Sequence, residues 1–231
     1  MNFNFDSLPN RRESESAKWR VFGDDILPMW VADMDFRSPE PVIQALRDRI
    51  DHGVFGYPIH PEGIKEAVAA WLINRHGWEV SLDDLIIIPG VVAGFHLASH
   101  AVTRPGDGVI VQTPTYGPFF NIAGNVNLVQ HEMEMVRGED GQYKIDYHAF
   151  ETCLTGRSRI FMLCNPQNPT GRVFHQDELE KMAEICLQHN IIICSDEIHN
   201  DLVYKGNNHI PIASLAPEIA AKTITLIAPS K

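Results

Sequence analysis

The chain has 231 residues, of which 44% are hydrophobic, enough to bury a substantial core. Its formal net charge of −11 disfavours a nucleic-acid partner, because a phosphate backbone would be repelled. No apolar stretch approaches the roughly 20 residues that span a bilayer, and the first residues contain no apolar run typical of a secretory signal. The four cysteines show no spacing that suits zinc, so we interpret them as core thiols. We therefore expect a cytoplasmic protein with no membrane partner and no metal site.

The N-terminal part of the chain predicts irregular structure and then two helices. Residues up to about Phe36 show no periodicity. A helix is expected to start near Pro39, with Ser38 as its cap and Pro41 in its first turn. A second, amphipathic helix is expected from about Glu62 to Arg75.

From residue 84 onward, apolar strands alternate with helices. Strands without polar alternation, separated by helices, indicate an α/β fold with a mostly parallel sheet that is covered on both faces. Such sheets place their functional sites at the carboxyl ends of the strands. The expected strands are DLIIIPG (84–90), GDGVIVQTP, SRIFMLCNP, IIICSDE and TITLIAPS, and the expected helices are VVAGFHLASHAVT, YGPFFNIAGN and QDELEKMAEICLQHN.

Three junctions carry residues that suit a ligand. Asp196 ends the strand IIICSDE, where a carboxylate is costly to bury unless it meets a cation or a proton. Asn168 lies in NPQNPTG, whose prolines and Gly171 fix the loop that presents the amide. The helix that starts near Val91 offers unpaired N–H groups, which favour a phosphate. Taken singly, a helix cap, a turn and an ordinary strand–helix junction explain these features equally well.

The order of the motifs is more specific than any one of them. A strand precedes Tyr116, another precedes Asn168, another ends at Asp196, and the last runs into Ser230 and Lys231. This order resembles the fold type I pyridoxal-phosphate enzymes, the aspartate aminotransferase superfamily, over essentially the whole chain. A simple dinucleotide-binding domain is disfavoured, because no GxGxxG follows any of the expected strands.

Within that superfamily, MWVADMDF, FGYP and SDEIHNDL are most similar to the cystathionine β-lyase branch of the bacterial C–S lyases. The resemblance implies a three-layer aminotransferase-like large domain over residues 46–231. Residues 1–45 would contribute to a small domain and to the mouth of the active site. Chains of this family extend well past the lysine, so we expect the large domain to be incomplete at Lys231 and the protein to be longer.

The resemblance also implies pyridoxal 5'-phosphate as the cofactor. Lys231 would form a Schiff base with it and, once the substrate has displaced the lysine, would remove the α-proton. Asp196 would pair with the pyridine nitrogen and Asn168 with the phenolic oxygen. Tyr116 would stack on the ring and belong to the catalytic residues.

The remaining contacts of the cofactor follow from the same resemblance. The backbone N–H groups of Val91 and Val92 and the hydroxyl of Ser230 would bind the phosphate. Tyr57 would reach the phosphate from the partner subunit, which implies a homodimer. His199 occupies a position where aminotransferases commonly carry a tyrosine, so we expect it only to support the residues that contact the cofactor.

The residues implied for the substrate are Ala32 and Asp33, which would face its carboxylate. The reaction implied first is α,β-elimination from cystathionine or a cysteine S-conjugate, which gives pyruvate, ammonia and a thiol. An aminotransferase on the same scaffold is the alternative. A third possibility is a regulatory binding protein that keeps the fold, since some relatives combine catalysis with control of a transcription activator.

Overall fold

A computed structural model describes residues 4–57, 59 and 61–231 of the chain. Its described residues form two compact units, one reaching to Glu62 and including Lys231, the other comprising Gly63–Ser230. The expected division between residues 45 and 46, with its small-domain and large-domain roles, stays a prediction. In the described part of the chain, no helix is long and apolar enough to cross a membrane.

Eight α-helices and seven strands make up the regular structure of the described residues. The helices are α1 Ala17–Arg20, α2 Glu40–His52, α3 Ile64–His76, α4 Val91–Val102, α5 Asn121–Val126, α6 Tyr147–Cys153, α7 Gln176–Gln188 and α8 Pro217–Ala220. The strands are β1 Gly108–Thr113, β2 Val129–Glu134, β3 Val136–Arg137, β4 Tyr143–Lys144, β5 Ser158–Cys164, β6 Ile192–Asp196 and β7 Thr223–Leu226.

Five of the strands form one parallel sheet in the order β2-β1-β5-β6-β7. Because all five run the same way, their carboxyl ends lie along one edge of the sheet. The pair β3 and β4 forms a separate antiparallel hairpin. The predicted α/β fold with a mostly parallel sheet is confirmed.

Helices cover both faces of this sheet, as the apolar strands predicted. Along β5, Phe161 and Leu163 belong to one core cluster, which also contains buried side chains of α7. Ile160 and Met162 belong to the other cluster, which contains Phe95 of α4. Alternate residues of one strand therefore supply both cores, which is the arrangement that makes buried strands uniformly apolar.

The thiols lie in the core, as expected. Cys164, Cys186 and Cys194 are buried and Cys153 is half-buried, and all are free cysteines. Burial raises the pKa of the Cys153 thiol to about 11. The pKa of Cys164 is raised to about 12, by burial first and then by the charge of Asp196.

The prediction of a strand at residues 84–90 was wrong. Leu82–Asp84 form a turn of 3₁₀ helix, and Ile86 and Ile87 that follow are 82% and 40% exposed. A strand exists only through its hydrogen-bonded neighbours, and this segment pairs with no strand among the described residues. Ile88 alone packs against the core, on the α4 side.

The start of α2 also differs from the prediction in one detail. The helix begins at Glu40 with Pro41 in its first turn, but its N-cap is Pro39 and no side chain caps it, so Ser38 does not have the expected role. The second helix, α3, spans Ile64–His76 with Gly77 as its C-cap, close to its predicted bounds.

Candidate active site

Asp196 lies at the carboxyl end of β6, and its side chain is almost completely buried, with the residue 4% exposed. Its Oδ1 accepts a hydrogen bond from Ile198 N at 3.1 Å, and its carbonyl oxygen accepts one from Asn165 N at 3.0 Å. The strand alternation places Asp196 on the same face as Cys194, which belongs to the α4-side core. A buried carboxylate in this position favours a cationic ligand group.

The loop after β5 presents Asn168, which is half-buried. The neighbouring Gln167 organises this loop, since its Oε1 accepts from Thr170 N at 2.9 Å and its carbonyl accepts from Gly171 N at 2.8 Å. Gly171 has a φ of 72°, a left-handed conformation that favours glycine. The Gln167 side chain also donates to Pro114 O at 2.7 Å, which ties this loop to the one after β1.

The amino end of α4 faces the same edge of the sheet. Its first residue, Val91, is buried in the same core cluster as Cys194 and Leu226. Gly94 allows the helix to lie close to the sheet, because a Cβ there would sit 2.5 Å from Ile88 Cδ1 and 3.0 Å from Leu226 Cδ2. The first N–H groups of α4 have no partner within the helix and can bind an anion.

Tyr116 and Ser230 lie in loops that follow strands of the sheet. Tyr116 precedes the 3₁₀ helix Gly117–Phe120, and its half-buried ring lies 6.3 Å from that of Phe119 in an edge-on arrangement. Ser230 is exposed and follows the end of β7. Both residues are therefore located at carboxyl ends of strands, as the sequence predicted.

His199 lies on the wall of an open cavity of about 950 Å³, which Gln167 and Gly171 of the loop after β5 also line. Other residues that line this cavity are Tyr143 of β4, Arg172, and Leu202 and Tyr204 of the loop after β6. Asp196, Asn168 and Tyr116 do not line it. The role of His199 stays a prediction.

The other predicted site residues belong to the first unit. Ala32 is exposed, Tyr57 is fully exposed and Lys231 is half-buried. Asp33 forms an ion pair with Arg11. Their roles stay predictions based on the family resemblance.

The segment that carries Ala32 and Asp33 is held by a network around Asp35. This carboxylate accepts hydrogen bonds from Lys18 Nζ at 2.8 Å, Trp19 Nε1 at 2.7 Å and Arg11 Nη1 at 2.7 Å. Burial opposes ionisation of Asp35, but these hydrogen bonds outweigh it and lower its pKa to about 2. Sequence reasoning missed this network, whose members are separated by irregular chain.

Comparison with known proteins decides the family. The model of the family described as aminotransferase class I and II matches residues 24–231. The chain belongs to this family. The resemblance inferred from the order of motifs is confirmed.

Two curated relatives within this family are cystathionine β-lyases. The chain is 44% identical over 235 residues to cystathionine beta-lyase PatB of Bacillus subtilis strain 168, with 99% of this chain and 60% of the relative covered. It is 33% identical to cystathionine beta-lyase of Corynebacterium glutamicum, with 98% and 58% covered.

Comparison with solved structures identifies the same aminotransferase-like fold. Cystalysin from Treponema denticola, described as containing a pyridoxal 5'-phosphate cofactor, superposes with a TM-score of 0.93 at 36% identity, with 100% of this chain and 60% of that chain covered. The chain thus spans about 60% of the length of the relatives it matches. The three-layer aminotransferase-like fold is confirmed for this part of the family's length.

The aminotransferase-family sheet therefore brings one subset of the predicted residues to a common edge. Asp196 and Asn168 lie there because β5 and β6 are parallel neighbours, and the start of α4 packs in the same core cluster as β6.

Sequence reasoning missed Gln167 as a residue that organises the site, although it lies between the two Asn-Pro pairs. No group of three or more His, Cys, Asp or Glu suited to a metal ion occurs among residues 4–57, 59 and 61–231.

Proposed function

We propose that this protein binds pyridoxal 5'-phosphate and acts as a C–S β-lyase of the cystathionine β-lyase type. The observation that carries the proposal is the 44% identity to a cystathionine β-lyase across 99% of this chain. The proposal covers the whole protein, of which this chain spans the part that contains the residues discussed above.

The residues present suit this cofactor. The buried Asp196 carboxylate can pair with a protonated pyridine nitrogen, because opposite charges attract more strongly away from water. The N–H groups at the start of α4 match a phosphate, and Gly90, with a φ of 149° and open space around its missing Cβ, leaves room for one. Asn168 adds an amide that can donate to a phenolic oxygen.

When bound, pyridoxal phosphate supplies an electron sink for the charge that develops at the substrate's α-carbon. The residues of this chain do the rest. Asp196 keeps a negative charge beside the pyridine nitrogen, and Tyr116 covers the ring. The amine of Lys231 accepts the α-proton as a general base.

The other roles concern binding. The N–H groups of Val91 and Val92, with the Ser230 hydroxyl, hold the phosphate. Tyr57 does so from the partner subunit of a homodimer. His199 supports the loop after β6.

The substrate is a cystathionine or a cysteine S-conjugate, and the products are pyruvate, ammonia and a thiol. Ala32 and Asp33 face the substrate carboxylate. The ion pair between Asp33 and Arg11 supports this, because it offsets a charge that would repel the substrate. The protein works in the cytoplasm, where its free cysteines stay reduced.

The test is a reaction without any keto acid. Full-length protein loaded with pyridoxal phosphate is given cystathionine, and thiol and pyruvate are measured with dithionitrobenzoate and lactate dehydrogenase. We expect both products in equal amounts. If the folded protein with pyridoxal phosphate bound released neither thiol nor pyruvate, the lyase proposal would be overturned.

The aminotransferase alternative is favoured by the family itself, whose description names that activity. The two reactions share the removal of the α-proton and differ in whether the β-thiolate leaves. Rapid exchange of amino groups between alanine or glutamate and a keto acid, without release of thiol, would decide for the aminotransferase.

A further inference from the structure

Next to Asp196 lies a second buried carboxylate, which the proposed function does not use. Glu197 is 1% exposed. Its Oε2 lies 2.8 Å from Nε2 of His209, whose side chain is also 1% exposed. Its Oε1 accepts from Ser195 Oγ at 2.8 Å and from Ile212 N at 3.3 Å. The His209 nitrogen that faces Glu197 therefore carries a hydrogen and donates it to the carboxylate.

The backbone at this point is held from both neighbouring strands. Glu197 N donates to Leu226 O of β7 at 2.9 Å, and Asn165 N after β5 donates to Asp196 O at 3.0 Å. Asn200 N donates to Glu197 O at 3.0 Å and closes a turn directly after the strand. The main chain of residues 196 and 197 is thus fixed in the plane of the sheet.

The side chains of residues 196 and 197 use opposite faces of the sheet. Ser195 and Glu197 bind each other on the side of the core that contains Ile212 and Ile193. Asp196 lies on the other side, with Cys194 and the start of α4. The Glu197 network therefore anchors the strand end from behind, while Asp196 faces the proposed cofactor.

A buried ionic or polar pair of this kind is a poor source of stability, because desolvation offsets most of its attraction. Apolar residues of similar size would fill this core at least as well. Such a pair does fix geometry, since each hydrogen bond restricts the direction of the carboxylate that accepts it. Its place next to the residue proposed to bind the pyridine nitrogen gives that geometry a use.

We infer that Glu197 and His209 form a positioning pair, which fixes the strand end so that the Asp196 carboxylate is held in place for the cofactor. The inference rests on the proposed role of Asp196. Glu197 does not contact the cofactor and acts through the main chain that it shares with Asp196. Ser195 and the N–H group of Ile212 complete the anchor.

The experiment measures the dissociation constant of pyridoxal phosphate for cofactor-free, full-length protein. The test variant is Glu197→Gln, which keeps the size but leaves a single accepting oxygen for His209 Nε2, Ser195 Oγ and Ile212 N. Removing a residue that orients a metal ligand typically weakens metal binding by about 10–100-fold. By analogy, we expect the dissociation constant of the cofactor to rise about tenfold. We also expect kcat to fall with KM little changed, because substrate binding is not altered.

The control is Leu179→Ala, which opens a cavity in the same core from α7 and removes no hydrogen bond at the strand end. It should lower the melting temperature without changing the cofactor's dissociation constant. His209→Gln keeps a donor and should bind cofactor almost as the parent does, whereas His209→Leu should behave like Glu197→Gln. This pair of variants decides the question even where Glu197→Gln fails to fold.

The outcomes separate the two proposals. A parent protein that binds no pyridoxal phosphate overturns the proposed function and this inference with it. A parent that binds it, with Glu197→Gln and His209→Leu unchanged in dissociation constant and in kcat, overturns the positioning role alone. Equal effects of Leu179→Ala and Glu197→Gln on cofactor binding would do the same.

Discussion

Each of the two units is stabilised internally by a different kind of interaction. In residues 63–230, the central strands are buried, and Ile110, Phe161 and Ile193 have no exposed surface at all. In the first unit, α2 buries none of its residues, and Leu46 and Ile50 are 60% and 65% exposed. The hydrogen bonds and ion pairs around Asp35 connect the irregular segments of that unit.

An apolar pattern therefore predicts a helix or strand without predicting what that element packs against. The stripe Val42, Leu46 and Ile50 has the spacing of an amphipathic helix, and the helix is present. Its apolar face is exposed in the described structure. The strands β1, β5 and β6 have equally apolar patterns and do form the core.

The largest effect is expected for Lys231→Ala, which tests the proposed general base. The variant should bind pyridoxal phosphate without a covalent bond to the protein, and turnover should fall by about 10²–10⁴-fold or more, because a positioned general base is lost. Turnover and the visible absorbance of the cofactor measure this. The melting temperature should stay unchanged, and turnover near that of the parent would contradict the role of Lys231.

A substitution in the core of the second unit should cost far more stability than one on the exposed face of α2. Phe161→Ala in β5 should lower the free energy of unfolding by about 3–5 kcal/mol, because a fully buried aromatic ring is replaced by a cavity. Leu46→Ala on α2 should change it by less than about 0.5 kcal/mol, as exposed positions usually do. Urea unfolding of both variants is the measurement. A large loss for Leu46→Ala would mean that the α2 face is covered in the whole protein.

The sequence predicts four of the five strands of the sheet, but it misses the edge strand β2 and predicts an additional strand at residues 84–90. The strands at 108–113, 158–164, 192–196 and 223–226 were expected because each is a short apolar run. Strand β2 was missed, since QHEME contains a single apolar residue, Met133, and lies in a strand at the edge of the sheet. The composition of the run at 84–90 predicts a strand, but composition cannot reveal that no neighbouring strand pairs with it among the described residues.

The candidate site was predictable to the extent that it follows strand ends. Asp196 and Asn168 could be found because Asp196 ends an apolar strand and Asn168 lies in the loop that follows one. Glu197 could not be given its partner, since His209 is twelve residues away along an irregular loop and meets it only through the fold. Contacts of this kind leave no periodic signal in the sequence.

The next effect in size concerns Asp196→Asn, which tests whether the buried carboxylate serves the cofactor or the fold. Asparagine keeps an oxygen for the N–H of Ile198 but carries no charge for a pyridine nitrogen. We expect kcat to fall by about 10²-fold, the usual cost of one lost electrostatic partner in an active site. The melting temperature should change little. Retained activity with a collapsed melting temperature would make Asp196 a structural cap.

The smallest effect is expected in the first unit and depends on pH. The folded-state pKa of Asp35 is lowered to about 2 from an ordinary value of 3.8, so its ionised form stabilises the fold at pH values above about 4. This contribution is lost as the pH falls from about 4 to about 2, because the carboxylate then becomes protonated in both states. Asp35→Asn should therefore be less stable than the parent at pH 7, and the difference should shrink through that window.

The matched control is Asp24→Asn, because Asp24 also pairs with an arginine but its side chain is 94% exposed. Exposed ion pairs contribute little, so this variant should match the parent at every pH. Urea unfolding of the three proteins between pH 7 and the lowest pH at which the parent folds gives the comparison. If Asp24→Asn and Asp35→Asn had the same effect, the network around Asp35 would be no more than surface charge. The first unit would then need another source of order, and the difference between the two units would have to be explained by packing alone.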